Sequence, residues 1–88
     1  NRIAKVGLEL GGKSANIVAA SADLEAAVDG SLLAIFSGAG QQCLAGSRLF
    51  VERAVAGPFL DAFVARARKI RLGCPFDRAT EMGPIAHE

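Results

Sequence analysis

The order of elements that the sequence predicts places the chain in the α/β class. Three stretches alternate apolar and polar residues as strands do, and two longer stretches repeat apolar residues every three or four positions as helices do. A turn rich in Gly, Ala and Ser separates the first helix from the third strand. The predicted order is strand, strand, helix, turn, strand, helix and loop, which is typical of α/β proteins.

The first two predicted strands lie near the start of the chain. Residues 1–10 place apolar side chains among charged ones and stop at a pair of glycines, and residues 16–19 form a second, shorter apolar run. Glu9 is then expected at the end of the first strand. Strand ends are where sites form in open α/β sheets, so this position suits a catalytic carboxylate. The alternative is a solvent-facing edge residue.

Two helices and a third strand follow. Ser21 is the predicted N-cap of the first helix, whose apolar stripe includes Leu24, Val28 and Ile35 and which breaks after residue 36. Residues 48–52 predict the third strand. A second helix carries Pro58 in its first turn and ends at the Gly-Cys-Pro run of residues 73–75, after which a loop is predicted.

The turn before the third strand contains Cys43. Gly38 and Gly40 allow positive φ there, and such a turn can aim successive backbone N–H groups at a developing negative charge. Without other signals, a cysteine in an irregular connection is more often a small buried residue. A glycine-rich turn also suits a nucleophilic thiol, in which case Gln42 and Leu44 would flank the entering substrate, and a second signal elsewhere in the sequence is needed to choose between the two interpretations.

Two segments together resemble a known enzyme family. Residues 8–14 read Leu-Glu-Leu-Gly-Gly-Lys-Ser and residues 40–43 read Gly-Gln-Gln-Cys, with Glu9 preceding Cys43 by 34 residues. Both segments resemble the signatures of NAD(P)-dependent aldehyde dehydrogenases, as do residues 73–77 and 82–84. Two positions depart from the family pattern: Gly38 stands where Asn is frequent, and Cys74 where Asp or Asn is more common.

The resemblance implies a fold and a division of the chain. Residues 1–13 would form the last strand of the Rossmann-like cofactor-binding domain and carry the general base, Glu9. Residues 14–88 would form part of the catalytic domain, with Cys43 as nucleophile. The resemblance covers only a minority of a full-length member, so we expect a fragment of a longer enzyme that is inactive by itself.

The resemblance also implies a reaction, the oxidation of an aldehyde to a carboxylic acid with NAD or NADP. The cofactor's nicotinamide end is expected to contact Leu10 and Gly11. Two alternatives stay open: an acylating dehydrogenase that passes the thioester to coenzyme A, and a structural or assembly segment without activity. A water-activating Glu9 argues against the first, and the presence of both Glu9 and Cys43 argues against the second.

The composition indicates which partners, cellular location and metal or disulfide sites to expect. The 88 residues are 51% hydrophobic and carry a net charge of +1, with no Trp or Tyr, so a nucleic-acid partner has little support. No apolar stretch is long enough to span a bilayer and no leader opens the chain, so we expect a cytoplasmic protein without a membrane partner. Two cysteines and one histidine predict neither a disulfide nor a metal site. The expected partners are the aldehyde, the rest of its own chain and, as a homodimer or homotetramer, further copies.

Overall fold

Two parallel strands joined by a helix form the centre of the structure, a computed structural model in which residues 3–87 are described. Strand β1 spans Ala15–Val18 and strand β2 spans Arg48–Val51, with Ala15 opposite Arg48. Parallel strands need a long crossover, and helix α1, Leu24–Phe36, provides most of it. Helix α2, Ala56–Ala67, follows β2. The predicted α/β class is confirmed.

The core lies between one face of the two strands and both helices. Val18 of β1, Val28 of α1 and Phe59 of α2 are buried together. The next residues along the strands point to the opposite face, as the period of two requires, and Ile17 and Phe50 are 76% and 51% exposed there. Among the described residues, both helices therefore cover the same side of the sheet.

An arginine ties the two helices together at the surface. The Arg66 guanidinium of α2 donates hydrogen bonds to the carboxylates of Glu25 and Asp29, which lie one turn apart on α1. Two acceptors on one planar guanidinium fix the orientation of the helices better than a single exposed ion pair does.

The first predicted strand is wrong over the residues that the structure describes. Residues 3–10 form no strand, and residues 1 and 2 lie outside the described part of the chain. The apolar side chains of Ile3, Val6 and Leu8 are exposed. The pattern is that of a strand, but a strand also needs a neighbour for its backbone N–H and C=O groups, and residues 3–87 supply none to this segment.

Two predicted helix ends also differ from the structure. Asp23, not Ser21, caps α1, because its Oδ1 accepts a hydrogen bond of 2.8 Å from the Ala26 N–H. Helix α2 ends at Ala67, six residues before the predicted stop at Gly73. Beyond the helix, the Arg71 carbonyl accepts hydrogen bonds from the Glu81 and Met82 N–H groups and the Arg71 N–H donates one to the Glu81 carboxylate, so the Arg71 backbone is paired with a later segment and not with the helix. Neither helix of the described residues is long and apolar enough to cross a bilayer.

We expect Phe59→Ala to destabilise the protein that contains this chain by about 3–5 kcal/mol, because it removes a fully buried ring from the centre of the core. Leu60→Ala, on the exposed side of the same helix, is the matched control and should cost much less. Urea denaturation of the two variants measures the difference. Equal losses would mean that the core is not centred on Phe59.

Candidate active site

The segments that precede β1 and β2 meet at one edge of the sheet. The Arg48 N–H donates a hydrogen bond of 3.2 Å to the carbonyl of Ser14, and the Arg48 Nε–H donates one of 2.8 Å to the carbonyl of Lys13. Since the strands are parallel, the segments that precede them lie at the same end of the sheet. A cleft of about 750 Å³ opens there, lined by residues 9–13, residues 40–45 and Ser47.

All the candidate site residues that the sequence indicated lie on this cleft. They are the proposed catalytic residues Glu9 and Cys43, the expected cofactor contacts Leu10 and Gly11, and the expected substrate neighbours Gln42 and Leu44. The structure thus brings together a carboxylate and a thiol that are 34 residues apart in the sequence. It does so at the amino ends of β1 and β2, because both segments immediately precede these parallel strands. The individual roles of the six residues stay predictions.

Gly12 allows the two segments to approach closely. A Cβ atom on Gly12 would lie 3.1 Å from the backbone oxygen of Cys43, inside the separation of about 3.5–4.0 Å at which dispersion attraction is optimal. Gly12, three residues after the general-base candidate, therefore packs directly against the backbone of the nucleophile candidate. This contact couples the position of the Glu9 segment to that of Cys43.

A run of left-handed backbone connects α1 to Cys43. Gly38, Ala39 and Gly40 have φ values of 59°, 57° and 73°. Ala39 is the one non-glycine residue with positive φ in residues 3–87, a conformation that costs roughly 1–2 kcal/mol for a residue with a Cβ. Such outliers persist where the surrounding structure holds them and are frequent at functional sites.

Cys43 occupies the first central position of a tight turn. The Ala45 N–H donates a hydrogen bond of 3.1 Å to the carbonyl of Gln42 and closes the turn. In a turn of this kind the N–H of the first central residue takes no part in the closing bond. Within residues 3–87 the Cys43 N–H makes no backbone hydrogen bond, so it is available to a negatively charged oxygen near the thiol.

The chain just after Cys43 packs against both β1 and α1. The Gly46 N–H donates a hydrogen bond of 2.9 Å to the carbonyl of Ala34, and a Cβ on Gly46 would touch the Cβ atoms of Ala34 and Asn16 at 3.3 and 3.4 Å. Beneath this contact, Asn16 Nδ2 donates a hydrogen bond of 2.8 Å to the hydroxyl of the buried Ser31. The sequence analysis missed this pair. Its signal is a polar residue inside a short strand and another on the apolar side of α1.

Gln41 ties the cysteine turn to the end of the chain. Its Oε1 accepts a hydrogen bond of 2.7 Å from the Ala86 N–H. The sequence analysis assigned no role to Gln41, and nothing local to it indicates a partner 45 residues away. This bond places the segment after Pro84 next to the turn that holds Cys43.

The two free thiols have different surroundings. Cys43 and Cys74 are both exposed, but Cys74 lines a separate apolar depression with neighbours that include Leu72, Pro75 and Met82. The residues described around Cys74 include no carboxylate on that depression. Cys43 shares its cleft with Glu9, so it alone has a candidate base beside it in residues 3–87.

Comparison with known proteins agrees with this arrangement. The sequence profile of the aldehyde dehydrogenase family matches residues 1–88, the whole of the chain. This chain belongs to the aldehyde dehydrogenase family. The betaine aldehyde dehydrogenase of Bacillus subtilis (strain 168) is 54% identical over 83 residues, which are 94% of this chain and 17% of that relative.

Solved structures of aldehyde dehydrogenases contain the same fold. Betaine aldehyde dehydrogenase from Staphylococcus aureus, solved in complex with NAD+, matches with a TM-score of 0.84 and 48% identity over 88% of this chain and 15% of that one. PnpE from Pseudomonas sp. WBC-3, in complex with nicotinamide adenine dinucleotide, matches with a TM-score of 0.85 and 56% identity over 88% of this chain and 16% of that one. The aldehyde dehydrogenase chain described here thus spans about a sixth of these relatives and folds as the corresponding part of them.

The Gly12 contact generates a prediction with a matched control. In the protein that contains this chain, Gly12→Ala should lower kcat/KM for an aldehyde about tenfold or more, because the added methyl group moves the Cys43 backbone away from Glu9 and small misplacements of reacting groups are costly. Gly7→Ala is the control, since a Cβ there meets nothing within 4 Å. Steady-state kinetics of both variants decide. A normal rate in Gly12→Ala would mean that the close approach is not required.

Proposed function

We propose that this chain supplies the nucleophile and the general base of an NAD(P)-dependent enzyme that oxidises an aldehyde to a carboxylic acid. The observation that carries the proposal is the shared cleft, in which Glu9 and Cys43 are brought together from distant parts of the sequence. Because the chain spans 17% of its Bacillus relative, the activity is proposed for a full-length protein. In it, residues 1–13 would complete the cofactor-binding domain and residues 14–88 would form part of the catalytic domain.

The first step is attack by the Cys43 thiolate on the aldehyde carbon. A carbon–sulfur bond forms while the carbonyl electron pair moves onto oxygen, which gives a thiohemiacetal oxyanion on Cys43. The available Cys43 N–H would donate a hydrogen bond to that oxygen, in the manner of an oxyanion hole. A thiol suits this step because even its small thiolate fraction at neutral pH is strongly nucleophilic, and because the thioester that follows is reactive enough to hydrolyse.

We place the cofactor on the glycine side of the cleft. Leu10 and Gly11 line it next to the thiol, and a Cβ on Gly11 would meet nothing within 4 Å, so the backbone there is open to a flat ring. Leu10 and Gly11 would therefore hold the nicotinamide end of NAD or NADP. The chemistry that the cofactor supplies when bound is acceptance of a hydride from the thiohemiacetal carbon.

Glu9 acts after the thioester has formed on Cys43. Its carboxylate would take a proton from water as the water oxygen attacks the thioester carbon. The carbon–sulfur bond then breaks, the carboxylic acid leaves and the Cys43 thiolate is regenerated. A base on the same cleft as the thioester favours hydrolysis over transfer to coenzyme A, and this is why we propose an acid and not an acyl-coenzyme A as product.

The assignment of the nucleophile is tested by comparing the two cysteines. In the full-length protein, Cys43→Ala should abolish aldehyde oxidation, whereas Cys74→Ala should leave it nearly intact because that thiol lies on a different depression. The assay uses a panel of aldehydes that includes betaine aldehyde, with NAD and with NADP. Equal loss in the two variants would overturn the assignment.

The role of Glu9 is tested by separating the two halves of the reaction. Glu9→Gln keeps size and hydrogen bonding but cannot accept the proton, so steady turnover should fall by roughly 10²–10⁴, the usual worth of general-base catalysis. A single burst of NADH should remain, with the acyl group accumulating on Cys43. Rapid mixing with mass analysis of the protein detects both.

Asp61→Asn is the control for Glu9→Gln, since Asp61 is an exposed carboxylate of α2 that does not line the cleft. Its turnover should match the unaltered protein. Unimpaired steady turnover of Glu9→Gln would remove the second half of the mechanism. A burst that slows together with turnover would show that Glu9 also activates the thiol.

A further inference from the structure

The Gln42 side chain lies across Gly38. A Cβ on Gly38 would be 2.8 Å from Gln42 Nε2, 3.1 Å from its Cγ and 3.3 Å from its Cδ, all shorter than the distances of about 3.5–4.0 Å at which non-bonded heavy atoms pack favourably. Gln42 is also one of the residues that line the cleft, directly before Cys43 in the sequence. Its side chain therefore occupies a space that exists only because residue 38 is a glycine.

The backbone at Gly38 strains any residue with a side chain, but it strains Asn least. Its φ of 59° and ψ of 31° lie in the left-handed region, which Asn enters more readily than other residues with a side chain. An asparagine there would keep the turn and would clash mainly with the Gln42 side chain. That side chain is long and exposed, so it would yield, and the cleft that it borders is open to receive it.

We propose that residue 38 sets the size of aldehyde that the cleft accepts, through the position of Gln42. With Gly38, the Gln42 amide is drawn back against the turn, and the approach to Cys43 stays open between Gln42 and Leu44, which is 68% exposed. With a side chain at position 38, the amide projects in front of the thiol. The proposal rests on the proposed function, because it names a specificity determinant of the same site.

A double-mutant cycle in the full-length protein tests this. Gly38→Asn should lower kcat/KM for hexanal relative to acetaldehyde about tenfold or more, the range expected when a pocket loses room for a few carbon atoms. In a Gln42→Ala background, Gly38→Asn should not change the ratio of kcat/KM for hexanal to kcat/KM for acetaldehyde further. Gly57→Asn is the matched control, because a Cβ on Gly57 meets nothing within 4 Å and the residue is not on the cleft.

The cycle has outcomes that overturn the proposal. If Gly38→Asn leaves the ratio unchanged, or changes it equally with and without the Gln42 side chain, residue 38 does not act through Gln42. Recovery of folded protein is informative too. Gly38→Asn protein that is insoluble with Gln42 but soluble in the Gln42→Ala background means that the Gln42 side chain does not yield, and insolubility in both backgrounds means that the backbone rejects the substitution; either result overturns the proposal.

Alkylation separates this inference from the proposed function. If the unaltered protein oxidises no aldehyde, the proposed function fails, but access to Cys43 can still be measured with iodoacetamide and with the bulkier N-phenylmaleimide. Gly38→Asn should slow the maleimide more than iodoacetamide at Cys43, and only when Gln42 is present. Cys74 is exposed elsewhere and serves as the internal reference in the same sample. Equal slowing of both reagents would overturn the inference.

Discussion

The parallel pairing of β1 with β2 is the constraint on which the candidate site depends. The register that sets Ala15 opposite Arg48 also fixes the direction in which the chain arrives at each strand. Arg48 reinforces it with a backbone and a side-chain hydrogen bond to the segment before β1. Glu9 and Cys43 both precede their strands by five or six residues, so they meet at the same edge.

The sequence separation of Glu9 and Cys43 follows from the same pairing. A parallel connection must travel the length of one strand, return over the face of the sheet and begin the next strand from the same end. The 13 residues of α1 rise about 1.5 Å each, enough to bring the chain back past β1. The left-handed turn at Gly38 then reverses its direction before Cys43. A crossover of fewer than about a dozen residues could not place the thiol at the end of the sheet where Glu9 lies.

Which secondary-structure elements the sequence could predict depends on whether the hydrogen-bond partners of each element lie within the chain. The helices α1 and α2 and the strands β1 and β2 find backbone partners and form a common core within the described residues, so periodicity was sufficient to predict them. Residues 3–10 have the same kind of pattern, but a strand depends on a neighbour that these residues lack. Cap choice is finer still, since Ser21 and Asp23 are both good caps and only the geometry of the first turn selects Asp23.

The residues of the candidate site also differ in whether the local sequence or tertiary contacts determine their positions. Cys43 and Glu9 could be proposed as site residues because the short segments that contain them carry the family resemblance, and their roles stay predictions. The bond of Gln41 to Ala86 could not be predicted, because it joins residues 45 positions apart that carry no complementary pattern. The contact between Gly38 and Gln42 spans only four positions, yet it depends on a positive φ that many glycines never adopt.

More contacts hold Cys43 in place than hold Glu9, and the proposed mechanism gives a reason for the difference. The turn of Cys43 is held by Gly12 on one side, by the Gly46 bond to Ala34 on another and by the Gln41 bond to the end of the chain. Glu9 is fixed within residues 3–87 only through the residues that follow it, and the apolar residues before it are exposed. In the proposed mechanism the thiol bonds to substrate from the first step to the last, so it must be held throughout. The carboxylate acts on a water molecule in the second half alone, so it must be held in place beside the thiol only during that half.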